Sequence, residues 1–336
     1  MNITTKFAFT ICSNNYLGQA NALKESFLTH NPTFTFYIIL VDKRSEQVDY
    51  TNFNPAQILT IAEIDGLDLP DLISRYDIIE LNTSIKPSVF KHIISNNINA
   101  EVIYYLDPDL YFYDTLEEVT TILKTKNAVL TPHILSEIPR DGMLPDENIF
   151  LKFGIYNLGF IGINVNSEFS LKMLDWWEER TIHHGYNWPK IGYFVDQLWM
   201  ALAPIFFDNV EILKTFNYNM APWNLHERRI ISIKGNKVLL NDETNLVFYH
   251  FSKLANNDKD ISREYNRYTF EDFPLLKELY NNYQKTIESH HYTNYKNIPI
   301  GYDVRQIVSK KYVKGSLLKR LLKRLALILN NTADKA

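Results

Sequence analysis

Cysteine is nearly missing from this chain: Cys12 is the single one in 336 residues. That excludes an intrachain disulfide and a zinc site built from several cysteines, and it suits a reducing compartment. Long apolar runs are missing too, since nothing approaches the ~20 residues that span a bilayer. Residues 1–11 read as a short first strand. They lack the long apolar region and small-residue cleavage site of a signal peptide, so a cytoplasmic location is expected. Neither sign of charge dominates. The 35 basic and 39 acidic residues leave a formal net charge of −4, which gives no general case for nucleic-acid binding. Gly/Ser-rich linkers and internal repeats are also absent. With 46% hydrophobic and 22% charged residues, the remainder is the composition of a globular chain with a sizeable core.

The first third alternates two hydrophobic periods. Residues 7–11, 34–41, 58–61 and 102–106 read as strands, and Leu17, Ala20, Leu23 and Phe27 mark a helix over 16–30. Residues 84–95 read as a helix with Pro87 in its first turn, where proline is tolerated. This alternation predicts an α/β fold with a mostly parallel central sheet flanked by helices. The pattern then changes. A helix is expected near 116–123, a strand at 128–131 and an antiparallel strand at 155–165. Helices are expected at 169–181 and 194–203, and short strands at 210–213, 230–233, 238–240 and 246–251. We read one domain over residues 1–255 and a helical extension over 256–336, beginning with a polar loop at 256–267. In the tail, Lys319, Arg320, Lys323 and Arg324 alternate with leucines over 316–329, the pattern of a basic amphipathic helix.

Asp107-Pro108-Asp109 closes the apolar run Val102-Ile103-Tyr104-Tyr105-Leu106 and precedes Leu110-Tyr111-Phe112. Open α/β sheets place ligands at the carboxyl ends of their strands. Two carboxylates there make an anionic fork suited to Mg2+ or Mn2+, which take oxygen ligands and hold substrate phosphates. Proline and aspartate also build turns, so the same tripeptide reads plainly as a turn.

Further segments follow in order: Thr10-Ile11-Cys12-Ser13-Asn14-Asn15-Tyr16, Lys86-Pro87, Asn157-Leu158-Gly159-Phe160-Ile161, Asp196-Gln197, Tyr218-Asn219 with Trp223-Asn224-Leu225, and His250-Phe251-Ser252. In this order the chain resembles GT-A glycosyltransferases of the family 8 type and related bacterial surface-polysaccharide (lipopolysaccharide or capsule) glycosyltransferases. The resemblance covers roughly residues 6–252.

It implies a GT-A fold and a metal-dependent hexosyltransferase. Asp107, Asp109 and His250 would be the metal ligands, with imidazole tilting the choice toward Mn2+ over Mg2+. Cys12, Asn15, Tyr16, Lys86, Asp107, Gly159 and Lys253 would contact a nucleotide-sugar, UDP-linked in this reading. Asp196, Gln197 and Asn157 would face the donor sugar in a retaining reaction, with Arg229 or Lys253 assisting at the phosphates. Trp223, Asn224 and His226 would line the acceptor site. The acceptor would be a glycan or a lipid-linked glycan, met at the inner face of the cytoplasmic membrane through peripheral contact of the tail helix with anionic lipid.

The chain departs from family 8 after the late histidine, where Ser252-Lys253 replaces a Gly and Lys-Pro-Trp. Plain readings stand beside these roles. His250 could be a core histidine, Tyr16 a first-turn packing residue and Lys86 a solvated charge. Asn157 and Gly159 could form a bulged strand, and Asp196 a helix cap. Trp176 and Trp177 read as core, and His183-His184 and His290-His291 as surface pairs. A nucleotidyltransferase also pairs aspartates with metal, but residues 12–18 form no Gly-rich basic loop. A non-catalytic sugar-binding relative should have lost one of Asp107, Asp109 and His250, and all three are present.

Overall fold

The computed structural model describes residues 5–255 and 257–305. The expected tail helix at 316–329 lies outside the described residues. In chain order the strands are β1 (Lys6–Cys12), β2 (Thr35–Leu40), β3 (Gln57–Thr60), β4 (Val102–Leu106), β5 (Leu110–Phe112), β6 (Ala128–Pro132), β7 (Tyr156–Asn164), β8 (Asn187–Trp188), β9 (Tyr193–Phe194), β10 (Val210–Ile212), β11 (Ile230–Lys234), β12 (Lys237–Leu240) and β13 (Phe248–His250). The helices are α1 (Leu17–His30), α2 (Leu69–Arg75), α3 (Ile78–Ser84), α4 (Lys86–Asn96), α5 (Glu117–Ile122), α6 (Glu147–Phe153), α7 (Glu168–His184), α8 (Ala203–Phe206), α9 (Pro274–Ser289) and α10 (Tyr292–Tyr295).

A seven-stranded sheet runs in the order β10-β6-β7-β4-β1-β2-β3. Every neighbouring pair is parallel except those made by β7, which runs against β4 and β6. The expected mostly parallel sheet is therefore observed, and so is the expected antiparallel strand. Buried strands covered on both faces read as continuous apolar runs, and β4 is buried along its whole length. Alternate residues of β1 show the two layers. Phe7, Phe9 and Ile11 join the core with Phe90 of α4 and Trp177 of α7, whereas Ala8 and Cys12 join the core with Leu23 and Phe27 of α1. A third core gathers Ala22 of α1, Tyr249 of β13, and Leu276, Tyr280 and Tyr283 of α9. Residues beyond 255 thus share a core with those before it. Among the described residues, no helix is long and apolar enough to cross a membrane.

The helix expected at 84–95, with Pro87 in its first turn, is observed as α4, and a further helix precedes it. Residues 78–96 form two helices that meet at Ile85. Asp77 opens the first by accepting bonds from the Ile79 and Glu80 backbone, with Glu80 returning a bond to the Asp77 N–H. Pro87 stands at the start of the second. The helix expected at 194–203 is mostly broken. Val195 takes φ 41°, a left-handed shape in which a β-branched residue cannot begin a helix. Regular helix begins only at α8, after a short 3-10 turn at Trp199–Leu202. Asp196 consequently caps no helix.

Candidate active site

The Asp107–Leu110 turn is closed by the Leu110 N–H donating to the Asp107 carbonyl at 3.1 Å. The chain then reverses into β5, which pairs antiparallel with β13, and that register sets His250 opposite Leu110. The Phe251 N–H donates to the Asp109 carbonyl at 2.9 Å and locks the two strand ends together. Residues more than 140 positions apart are brought together in this way. One ligand atom from each of Asp107, Asp109 and His250 lies within 4.8 Å of the others. His250 Nε2 is 3.0 Å from Asp109 Oδ1 and 3.8 Å from Asp107 Oδ2.

Burial disfavours the charged imidazole. The Asp109 and Asp107 carboxylates outweigh it and raise the His250 pKa above its ordinary value. Burial likewise opposes ionisation of Asp109, and the His250 charge more than offsets it, holding that carboxyl below its ordinary range. Two carboxylate oxygens and one imidazole nitrogen form a donor set that fits Mn2+ or Mg2+.

Gly159 makes the convergence possible. A Cβ there would lie 2.6 Å from His250 Cε1 and 2.8 Å from Asp107 Oδ2. The space that glycine leaves is filled by the candidate metal ligands themselves. The Asp107 N–H donates to the Gly159 carbonyl at 2.7 Å, fixing β4 against β7 at this level. The Tyr105 hydroxyl donates to Asp107 Oδ1.

Lys86 is not a solvated charge. It is 2% exposed, sits 2.8 Å from Asp196 Oδ2 and 3.9 Å from Asp107 Oδ1, and donates to the Leu158 carbonyl at 2.9 Å. Its ammonium lies 4.2 Å from the centre of the Tyr105 ring. Burial pushes the Asp196 carboxyl above its usual range, and Lys86 offsets this only in part. Gln197 is committed at both ends of its amide. Oε1 accepts from the Leu158 N–H at 3.2 Å, and Nε2 donates to the Phe153 carbonyl at 2.8 Å. Asn157 accepts from the Gly159 N–H at 3.3 Å and meets His133 Nε2 at 3.3 Å.

The other expected contacts divide. Tyr16 is 44% exposed and lines a cleft of ≈ 650 Å³ with Asp109 and Lys253. Burial raises its phenol, Asp109 adding to the rise and Arg263 opposing it. Asn15 accepts from the Ser13 hydroxyl at 2.6 Å, beside that cleft. Lys253, at φ 54°, reaches Glu264 at 3.3 Å. Cys12 is a correction: its thiol packs inside the α1 core, and burial pushes it up to about 12, so it is no ligand-facing group. Arg229 stacks over Phe273 at 4.6 Å. Asn224 ties its own turn to the end of β6, accepting from the Ala221 N–H and donating to the Asn219 and His133 carbonyls. Trp223 is buried edge-on to His250, with ring centres 5.1 Å apart. Trp177 is core, as expected.

Three residues at or beside the site were not singled out in the sequence. His133 ends up behind Trp223, buried, its pKa driven down to about 3 by desolvation and its imidazole neutral. It directly follows β6 as Asp107 follows β4, so the strand-end rule could have flagged it. Arg263 and Tyr283 line the cleft from beyond residue 255, and no local motif marks either.

No family model matches the chain. Two Bacillus subtilis (strain 168) proteins are similar to it in sequence. YfnF, an uncharacterized protein, is 25% identical over 278 residues, covering 81% of this chain and 89% of that one. YfnD, also an uncharacterized protein, is 25% identical over 281 residues, covering 81% and 85%. Solved structures with a partial likeness are glycosyltransferases. The galactosyltransferase LgtC in complex with donor and acceptor sugar analogs has 14% identity and a TM-score of 0.49, over 84% of this chain and 95% of that one. The glycosyltransferase GlyE of Streptococcus pneumoniae TIGR4 has 14% identity and a TM-score of 0.47, over 90% and 66%. The functional reading rests on the geometry of the site itself.

Proposed function

We propose that the chain is a GT-A-type glycosyltransferase. It moves a hexose from a UDP-linked donor to a hydroxyl of a glycan or lipid-linked acceptor in bacterial surface-polysaccharide synthesis, retaining the anomeric configuration. The observation that carries this reading is the convergence of Asp107, Asp109 and His250 at strand ends, with Asp109 lining a cleft that also holds an exposed tyrosine and several basic side chains. In the reaction the bond from the anomeric carbon to the diphosphate breaks and one to the acceptor oxygen forms. The hydroxyl proton leaves by way of the departing phosphate.

Asp107, Asp109 and His250 would hold Mn2+ or Mg2+, which when bound neutralises charge developing on the departing diphosphate. The chain's own residues do the rest. Tyr16 offers a ring face on which a nucleobase stacks. Lys86, Tyr105 and the Gly159 carbonyl hold Asp107 in one orientation. Asp196 and Gln197, which the resemblance places against the donor sugar, act here as positioning groups. One is paired with Lys86, and the other holds β7 through Leu158. Asn157, at the same level of β7, is the remaining candidate for a direct contact with the sugar.

The test is a screen of UDP-sugars for UDP release, with Mn2+ and with chelator. Release that requires Mn2+ for one donor supports the reading. Release that is indifferent to chelator, or transfer of a nucleotidyl group with pyrophosphate as product, contradicts it. The same reading puts the enzyme at the inner face of the cytoplasmic membrane through the basic segment 316–329. A chain truncated after Gly315 is expected to lose binding to anionic vesicles while keeping activity on a soluble acceptor. Vesicle binding by the truncated chain would remove the membrane part of the proposal.

A further inference from the structure

We propose that the donor diphosphate is gripped from the far wall of the cleft, by Arg263 with Lys253, Lys285 and Lys296, and that the Tyr283 hydroxyl donates to the same anion. This rests on the nucleotide-sugar reading above and names the groups that would carry its phosphate recognition.

The cleft runs from Asp109 to α10, and all four cations line it. Lys253 is shared with Glu264. Arg263, Lys285 and Lys296 have no carboxylate within ion-pair distance among the described residues, and Lys296 lies 5.2 Å from the Tyr292 ring. Arg263 is held beside Lys253 by backbone, its N–H donating to the Lys253 carbonyl at 3.0 Å, and Leu254 bridges to Ser262 just beyond. Arg263, Asp109 and Tyr16 all line this cleft, which places cation, candidate metal ligand and stacking ring around one space.

Tyr283 supplies an independent observation. Its side chain is 1% exposed and stacks flat on Phe251 at 3.8 Å. Its hydroxyl is buried and has no hydrogen-bond partner among the described residues. Buried polar groups are nearly always satisfied, and the residue that carries this one lines the cleft, as it also lines a smaller pocket shared with Ser26, Tyr113 and Leu279.

Charge balance agrees. Asp107 and Asp109 match the two charges of a divalent ion. Against the four cations stand Glu264, paired with Lys253, and Glu288 in the lining, which leaves two positive charges. A diphosphate esterified at both ends carries about one negative charge per phosphate. Where the resemblance would place Lys-Pro-Trp after the late histidine, the chain has Ser252-Lys253. Lys253 stands in that segment, and Arg263, Lys285 and Lys296 join it in the cleft from other parts of the chain.

The test compares UDP with UMP, titrated calorimetrically into the full-length chain with Mn2+. Arg263→Ala is expected to weaken UDP binding about tenfold, the usual scale of one charge-assisted contact. Tyr283→Phe, which keeps the stack on Phe251, is expected to weaken it severalfold. UMP binding should change little, so the UDP-to-UMP ratio shrinks, and Arg263→Lys should restore part of it. A ratio unchanged in both variants overturns the proposal and leaves the glycosyltransferase reading standing. If the wild-type chain binds neither nucleotide, the nucleotide reading fails. Inorganic pyrophosphate with Mn2+ then decides the anion site alone: binding lost in Arg263→Ala supports it, and no binding overturns it.

Discussion

Two ion pairs stand side by side in this site and are built for opposite purposes. Lys86 and Asp196 are both nearly wholly buried, 2.8 Å apart, and Lys86 also donates to the Leu158 carbonyl. His250 and Asp109 are 3.0 Å apart, but the Asp109 side chain is 23% exposed and lines the cleft. The first pair has no face left for a solute, and breaking it strands a charge in a low-dielectric interior. The second can trade its internal contact for an external ion, because one partner already faces the cleft. The buried pair is a fixed anchor that holds Asp107 from behind, and the open pair is the part proposed to exchange.

The largest effect should come from the open pair. Asp109→Ala is expected to lower Mn2+-dependent UDP release by about a thousandfold, in keeping with the several kcal/mol that a metal contributes to charge stabilisation. The unfolding midpoint in denaturant should move little, because the side chain is partly exposed. Wild-type turnover in this variant would place the metal elsewhere.

The buried pair should behave in reverse. Asp196→Ala is expected to cost about 3–5 kcal/mol of stability by leaving Lys86 unpaired. The double replacement Lys86→Met with Asp196→Leu should recover most of that loss. A single variant as stable as wild type would show that water reaches Lys86 and that the anchor is no anchor.

Gly159 sets how closely the open pair approaches Asp107, since a Cβ would press on both His250 and Asp107. Gly159→Ala is expected to cost about 1–3 kcal/mol by overpacking and to weaken Mn2+ binding as well. A stable variant with unaltered metal affinity would mean that the ligands can shift at no cost.

Much of this site was legible because strand ends are local features. The apolar run of β4 announces a buried strand, and Asp107 and Asp109 follow it directly. His250 was reachable from the order of motifs. What paired it with Asp109 was the β5–β13 register, which no local pattern encodes. Lys86 could be placed at a helix start, but its burial could not, because that depends on Asp196 arriving from 110 residues away through a turn at Val195. The apolar residues of 194–203 imitate a helix, and the left-handed Val195 overrides them. Arg263 and Tyr283 were invisible for the same reason: the cleft wall forms only when α9 packs back onto α1 and β13.

The smallest effect concerns pH and follows the open pair alone. His250 is raised in the folded state, so its contribution to stability is full below about 6.5, its ordinary value, and is lost as pH rises through the raised value. Asp109 is lowered, so its contribution is present above about 3.9 and is lost as pH falls through the lowered value. In chelator, the pair's contribution should therefore be greatest between those two limits. Asp109→Asn should flatten that part of the thermal-melt profile. An unchanged profile would mean that the two groups are not coupled.

Calorimetric titration of Mn2+ near pH 6.5, repeated in buffers of different ionisation enthalpy, tests the exchange at the open pair most directly. A metal must displace the proton from His250 to bind there. The expected result is Mn2+ binding with net proton release in the wild-type chain, and loss of that release in His250→Gln. Mn2+ binding with no proton release, or with release that survives His250→Gln, would contradict it.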